Sequence, residues 1–163
     1  MFSPVNELDR ERIWMRAQNR KRRTLAVVPA SDTDSLASFE FANLLMDTGR
    51  QHGDPITIAD LRRVRLIKAP AILQVVDSLV ESGSRVIFGT QSIAENVASI
   101  CFAKAADCAI LCVSLGATTV AAAREAIEQI GKDRFLGTVI LRTREDETGG
   151  WLRPRAPERS AHA

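Results

Sequence analysis

No apolar run in the chain approaches the roughly 18 residues of a spanning helix. No signal peptide opens it either, so the sequence reads as a soluble, cytoplasmic protein. Cysteine is scarce, with only Cys101, Cys108 and Cys112, all in apolar surroundings. An odd count without a secretion signal points to reduced thiols rather than a disulfide framework. Cys108 and Cys112 are four residues apart in an expected strand, which separates them by well over 10 Å at about 3.3 Å per residue. They read as small buried hydrophobes. The net charge of +2 is too small to argue for nucleic acid. Histidine is nearly absent: His52 lies in a turn and His162 in the tail, so a histidine metal site is not expected.

The most telling shortage is local. In residues 24–46 a short apolar run (Leu25, Ala26, Val27, Val28) meets a polar turn at residues 29–35. A helical pattern follows, with Leu36, Phe39, Ala42, Asn43 and Met46 at helical spacing. Strand, turn and helix in that order form the frame in which α/β proteins seat a phosphate on backbone N–H groups. Such a loop needs glycine for close backbone approach and lysine for the β- and γ-phosphates. This turn has neither. It carries Asp32 and Asp34, which repel a polyphosphate.

What is present is a regular α/β alternation. At 163 residues, with 45% hydrophobic and 26% charged residues, the chain suits one globular domain with a sizeable core. Residues 1–23 read as a short amphipathic helix with i,i+4 charge pairs and a basic linker, Arg20, Lys21, Arg22 and Arg23. That run is either a solvated approach to the first strand or a surface for an acidic partner or an anionic membrane face. Residues 24–142 form the α/β domain. Gly49 is expected to cap the first helix, and strand two covers residues 56–59. A helix over residues 69–80 has Ile72, Leu73, Val76 and Leu79 on its apolar face, with Pro70 at its start. Strands over 85–88, 108–113 and 136–141 alternate with helices over 93–104 and 119–130. The pattern predicts an open, mostly parallel five-stranded sheet with helices on both faces, a P-loop NTPase or Rossmann-like three-layer sandwich. Residues 143–163 turn polar and proline-containing and read as a flexible tail.

Ligands of such sheets bind at the carboxyl ends of the strands, here residues 31–35, 60–63, 89–92 and 114–119. Asp60 with Arg62 and Arg63 is either a remnant acidic site beside a basic partner-binding edge or a charged loop after a strand. Asp32 and Asp34 read first as caps for the orphan N–H groups of the next helix, and otherwise as cation ligands. Ser31 and Ser35 lack a base that could make either a nucleophile. Trp14 lies outside the core pattern, as a docking anchor or as intramolecular packing.

Five stretches carry a resemblance. They are residues 3–10 (SPVNELDR), 59–63 (ADLRR), 86–90 (VIFGT), 106–119 (ADCAILCV, then Gly116, Thr118 and Thr119) and 136–140 (LGTVI). In this order the chain resembles the cytoplasmic domain of bacterial tyrosine kinases of capsule and exopolysaccharide synthesis (Wzc/CpsD-like), within the MinD/ParA-like P-loop ATPases. The resemblance implies that Glu7 and Arg10 belong to a subunit-contact helix, in which Ile13 replaces a final arginine. It implies that Asp60 remains from an aspartate motif whose first acid is here Ile58. Residues 31–35 stand where that family has Gly-Glu-Gly-Lys-Ser/Thr, so Asp34 replaces the phosphate lysine. Only Ser35 could keep a hydroxyl-to-magnesium role. Gly89 stands in place of an acid that organises magnesium and water. No tyrosine exists anywhere in the chain, so the autophosphorylated tail of that family has no counterpart.

Phosphoryl transfer needs cationic positioning of the γ-phosphate and a held metal, and both are lost here. The resemblance therefore implies a pseudokinase-like, non-catalytic regulator or scaffold of exopolysaccharide biosynthesis and export, with no cofactor. Its partner would be the cytoplasmic part of a membrane polysaccharide co-polymerase or a related active kinase, with homo-oligomers a further option. It would sit in the cytoplasm, at the inner membrane through that partner. Glu7, Arg10, Trp14, Arg62 and Arg63 are the candidate partner residues; Ser35 and Asp60 are the candidate remnants of a nucleotide site. Two alternatives stand: an ATP- and magnesium-binding enzyme with altered phosphate-loop chemistry, and an unrelated regulatory α/β module on the same frame.

Overall fold

The computed structural model describes residues 2–3, 5–18 and 22–143. The first half of the basic run (Arg20 and Lys21) and the tail beyond residue 143, with Trp151 and His162, lie outside the described residues. The strands are β1 (Phe2–Ser3), β2 (Thr24–Pro29), β3 (Ile56–Asp60), β4 (Arg85–Gly89), β5 (Cys108–Ser114) and β6 (Phe135–Thr143). The helices are α1 (Glu7–Ala17), α2 (Ser35–Gln51), α3 (Ala69–Glu81), α4 (Ala98–Ala105) and α5 (Val120–Ile130). The strands lie in the order β1-β6-β5-β2-β4-β3. Strands β2 to β6 are parallel, as expected; β1, two residues long and not anticipated, pairs antiparallel with the end of β6.

Strand β2 is central because its residues are apolar on both faces. Leu25 and Val27 face α1 and α2; Ala26 and Val28 face α3 and α4. A strand covered on both sides must read as a continuous apolar run, and β5 does so too. Helix α5 covers Leu111 and Ala30 on the second face. Thr119 caps α5 by accepting from the Ala122 N–H at 3.1 Å, and Gly131 ends it at φ 111°.

Helix α1 is part of this core rather than an appendage. Trp14 is only 2% exposed and lies against α2 and β3. The docking-anchor reading of Trp14 is thereby corrected: its ring is intramolecular packing, with the Arg85 guanidinium 5.8 Å from the ring centroid. The contact also corrects the role of Gly49. Helix α2 runs past it to Gln51, and the following turn uses Gly53 at φ 83°. Gly49 is there because a Cβ would lie 2.7 Å from the Trp14 ring and 2.1 Å from Ile56 Cδ1.

The helix expected over residues 93–104 is shorter and starts later, at Ala98 (Ala98–Ala105). Residues before α4 are held in turns by their own side chains: Glu95 N–H donates to Ser92 Oγ, and Ala98 N–H to Asn96 Oδ1. Ser and Asn compete with a helix for backbone groups in this way. Asn96 also donates to the Val64 carbonyl at 2.9 Å, tying this loop to the one after β3.

The thiols follow the burial. Cys108 and Cys112 are free and buried, Cys101 partly exposed. Burial pushes the Cys108 thiol up to about 11 and Cys112 up to about 12, the latter with a small opposing effect from the Ser38 hydroxyl.

Gly49→Ala should destabilise the fold by about 1–3 kcal/mol in urea denaturation, as overpacking does, and Ile56→Val in the same chain should recover part of the loss. The thiols give a second expectation. A folded-state pKa above the ordinary 9.0 means the unfolded chain releases its proton first as pH rises. Stability should therefore decline from pH 9.0 towards 12, and Cys112→Ala should flatten that decline. At pH 8 iodoacetamide should label Cys101 while sparing the other two, and labelling of Cys112 at the rate of Cys101 would contradict the burial argument.

Candidate functional site

The four loops at the carboxyl ends of β2, β3, β4 and β5 come together as the topology requires. The loop after β2 begins with Ala30, whose N–H donates to the Cys112 carbonyl at 2.9 Å, and continues as a 3-10 turn over Asp32–Asp34. Asp34 is fully buried. Its Oδ2 accepts from Ser31 Oγ at 2.8 Å and from Thr118 Oγ1 at 2.5 Å. Thr118 Oγ1 in turn accepts from the Ser114 N–H at 2.9 Å. Asp32 accepts from the buried Ser92 hydroxyl. The two aspartates thus fasten the loop after β2 to the loops after β4 and β5.

Neither aspartate caps α2 with its side chain, which corrects the capping expectation. The cation-ligand reading gains nothing either. Among the described residues no group of three or more His, Cys, Asp or Glu could hold a metal ion. Among the same residues Asp34 has no ion-pair partner, and its Oδ1 has no hydrogen-bond partner. A carboxylate is tolerated under such burial only through the hydroxyls that solvate it.

On the β3 side the crevice is filled differently. Asp60 Oδ1 and Oδ2 receive Arg62 Nε and Nη2 at 2.9 and 2.8 Å, a bidentate pair. The Arg62 hydrogen bond holds the Asp60 carboxyl below its ordinary 3.8. The same guanidinium lies 3.8 Å from the centroid of the Phe39 ring, on the second turn of α2. That ring packs on Gly89: a Cβ there would lie 2.6 Å from Phe39 Cδ2. Asp60 and Arg62 therefore satisfy each other over an aromatic plug, and Arg63 next to them is exposed.

Ser35 opens α2 with its Oγ buried and without a hydrogen-bond partner. Glu7 is the exposed first residue of α1, capped by Asn6, and Arg10 is half-buried with its Nε enclosed. Ile13 packs against the first core, which explains an apolar side chain at that position. Glu7 and Arg10 share α1, at some remove from Ser35, Asp60, Arg62 and Arg63, which the topology gathers at the carboxyl ends. Phe39, Ser92, Asn96 and Thr118 were not singled out as site residues. Ser92 and Thr118 lay within the loops expected at the carboxyl ends of the strands, and Ser92 with Glu95 has the spacing of a Ser-x-x-Glu capping signature.

The residues do not fit a magnesium-bound polyphosphate. A buried carboxylate occupies the turn that would have to cradle it. The Asp34 N–H is donated to the Ser31 carbonyl at 3.0 Å, and the Ser35 N–H to that of Asp32. No protein-family model matches the chain, and no curated protein matches it.

Thr118→Val keeps the shape of Thr118 and removes the donor to a buried acceptor, so it should cost about 1–3 kcal/mol in urea denaturation. In an Asp34→Ala chain the same substitution should cost far less. Equal costs in the two chains would mean that Thr118 and Asp34 are not coupled.

Proposed function

We propose that this protein is a non-catalytic binding module, a pseudokinase-like regulator or scaffold of exopolysaccharide biosynthesis and export. The observation that carries the reading is the buried Asp34 carboxylate, hydrogen-bonded into the turn where a phosphate-binding loop would need open backbone N–H groups and a cation. A phosphoryl-transfer site needs positive charge and a held metal at that point. Asp34 brings the opposite charge, and Arg62, a candidate cation at the same end of the sheet, is committed to Asp60. The polysaccharide setting comes from the resemblance of residues 3–140 to the capsule and exopolysaccharide tyrosine kinases, and it carries the partner with it. That partner is the cytoplasmic part of a membrane polysaccharide co-polymerase or a related active kinase, which would hold this chain in the cytoplasm at the inner membrane.

The surface offered to such a partner is the outer side of α1. Glu7 is exposed there, and a cleft of about 740 Å³ between α1 and β6 is lined by Leu8, Ile13, Met15, Val139 and Ile140. A binding protein keeps such a surface after it has lost the means of catalysis.

Calorimetric titration of the full chain with magnesium-ATP tests the reading. No heat is expected at any concentration up to the millimolar range, and saturable micromolar binding would overturn it in favour of an altered nucleotide site. A second arm passes the protein over an immobilised cytoplasmic segment of a polysaccharide co-polymerase. Retention should weaken when Glu7→Lys and Arg10→Glu are combined.

A further inference from the structure

We propose that the exposed turn of residues 63–68, between β3 and α3, docks the protein directly on an anionic membrane surface. The sequence there is Arg63, Val64, Arg65, Leu66, Ile67, Lys68. Val64 points into the second core, and Leu61 just before it is buried, so the turn is anchored from below. It is fastened from two further sides. Leu61 N–H donates to the Gly89 carbonyl at 2.8 Å, and Asn96 Nδ2 to the Val64 carbonyl at 2.9 Å. On this fixed base a short 3-10 turn, Leu66–Lys68, lifts two large apolar side chains into solvent: Leu66 is 50% and Ile67 80% exposed.

Two adjacent large apolar side chains held outward on a turn that is hydrogen-bonded to its neighbours recover the free energy of burial when they enter an apolar environment outside the molecule. The surrounding charge identifies the environment. Arg63, Arg65 and Lys68 are all exposed, and none of them forms an ion pair among the described residues. The first turn of α3 has no acidic residue, and the acids of that helix, Asp77 and Glu81, stand in its C-terminal half. Ala71 and Val75 are also exposed and follow Ile67 at four-residue spacing, which extends the apolar stripe along the helix.

Cations around an apolar tip match a bilayer in which anionic headgroups lie a few ångströms above hydrocarbon. Nucleic acid would use the cations and leave Ile67 in water. An acidic protein groove would accept both, but it needs a complementary concave shape, whereas a bilayer accepts any protruding tip. Docking in this way turns the carboxyl ends of the strands towards the membrane, because the turn follows the carboxyl end of β3.

Sedimentation of the full chain with vesicles tests the proposal. Phosphatidylcholine vesicles should leave the protein in solution, whereas a mixture with phosphatidylserine at about three to one should carry it down, and added salt should release it. Neutralising Arg63→Gln, Arg65→Gln and Lys68→Gln should weaken binding about fivefold each and about a hundredfold together. Ile67→Ser should weaken it about tenfold or more. Each of these side chains is exposed, so the urea midpoints should remain those of the native chain. Arg23→Gln, before the amino end of β2, should leave binding unchanged. Equal sedimentation with pure phosphatidylcholine, or binding that survives the triple neutralisation, would overturn the proposal. So would binding indifferent to Ile67→Ser, which would make the turn a plain cationic patch that nucleic acid or an acidic protein could read equally well.

Discussion

A carboxylate held out of water must be solvated by something, and Asp34 is solvated by hydroxyls alone. Ser31 and Thr118 donate to the same oxygen, one from its own loop and one from the loop after β5. With the Asp32–Ser92 bond, this makes the top of the sheet a closed polar seam across β4, β2 and β5. The geometry of that end follows from the need to satisfy one buried acid without a cation. Removing water from an unpaired carboxylate is costly, and the Ser31 and Thr118 hydroxyls offset part of that cost at one oxygen. The seam therefore sets the loop positions, and the loop positions decide what the crevice can admit.

The other organising contact lies on the opposite flank of the sheet. Trp14 needs the flat approach to α2 that Gly49 permits, and through it α1 becomes a structural member of the first layer. This leaves α1 with two distinct sides. One carries Trp14 and Ala17 into the core; the other presents Glu7, Leu8, Arg12 and Met15 to solvent beside β6. The binding surfaces invoked above, the outer side of α1 and the turn before α3, belong to different ends of the molecule. A protein engaged at both would be held against a membrane and a neighbour at once.

Much of the fold was legible because the signals that build it are periodic. The apolar runs of β2 and β5, the spacing of Ile72, Leu73, Val76 and Leu79 on α3, and the glycine at the end of α5 each report a local preference that the fold respects. What could not be read depends on contacts between distant residues. Gly49 looks like a cap until Trp14, thirty-five positions earlier, is placed against it. Asp32 and Asp34 look like caps until Ser92 and Thr118 arrive from the loops after β4 and β5. The shortening of α4 depends on Asn96 finding Val64, and β1 is too brief to carry any alternation. The acidic character of the turn after β2 was visible as composition. Its consequence, a turn filled by its own acids, required the neighbouring loops.

The stack of Arg62, Phe39 and Gly89 bears on how this sequence can change. A carboxylate at position 89 meets the Phe39 ring, so it is admissible only after Phe39 is replaced by something smaller. Replacing Phe39 first strips Arg62 of its platform and leaves the Asp60–Arg62 pair unsupported. An acidic crevice on this side therefore requires both positions to change. In the space of neighbouring sequences the position behaves as a ratchet: an acid at position 89 is reached only through an intermediate in which Arg62 has lost the Phe39 ring beneath it.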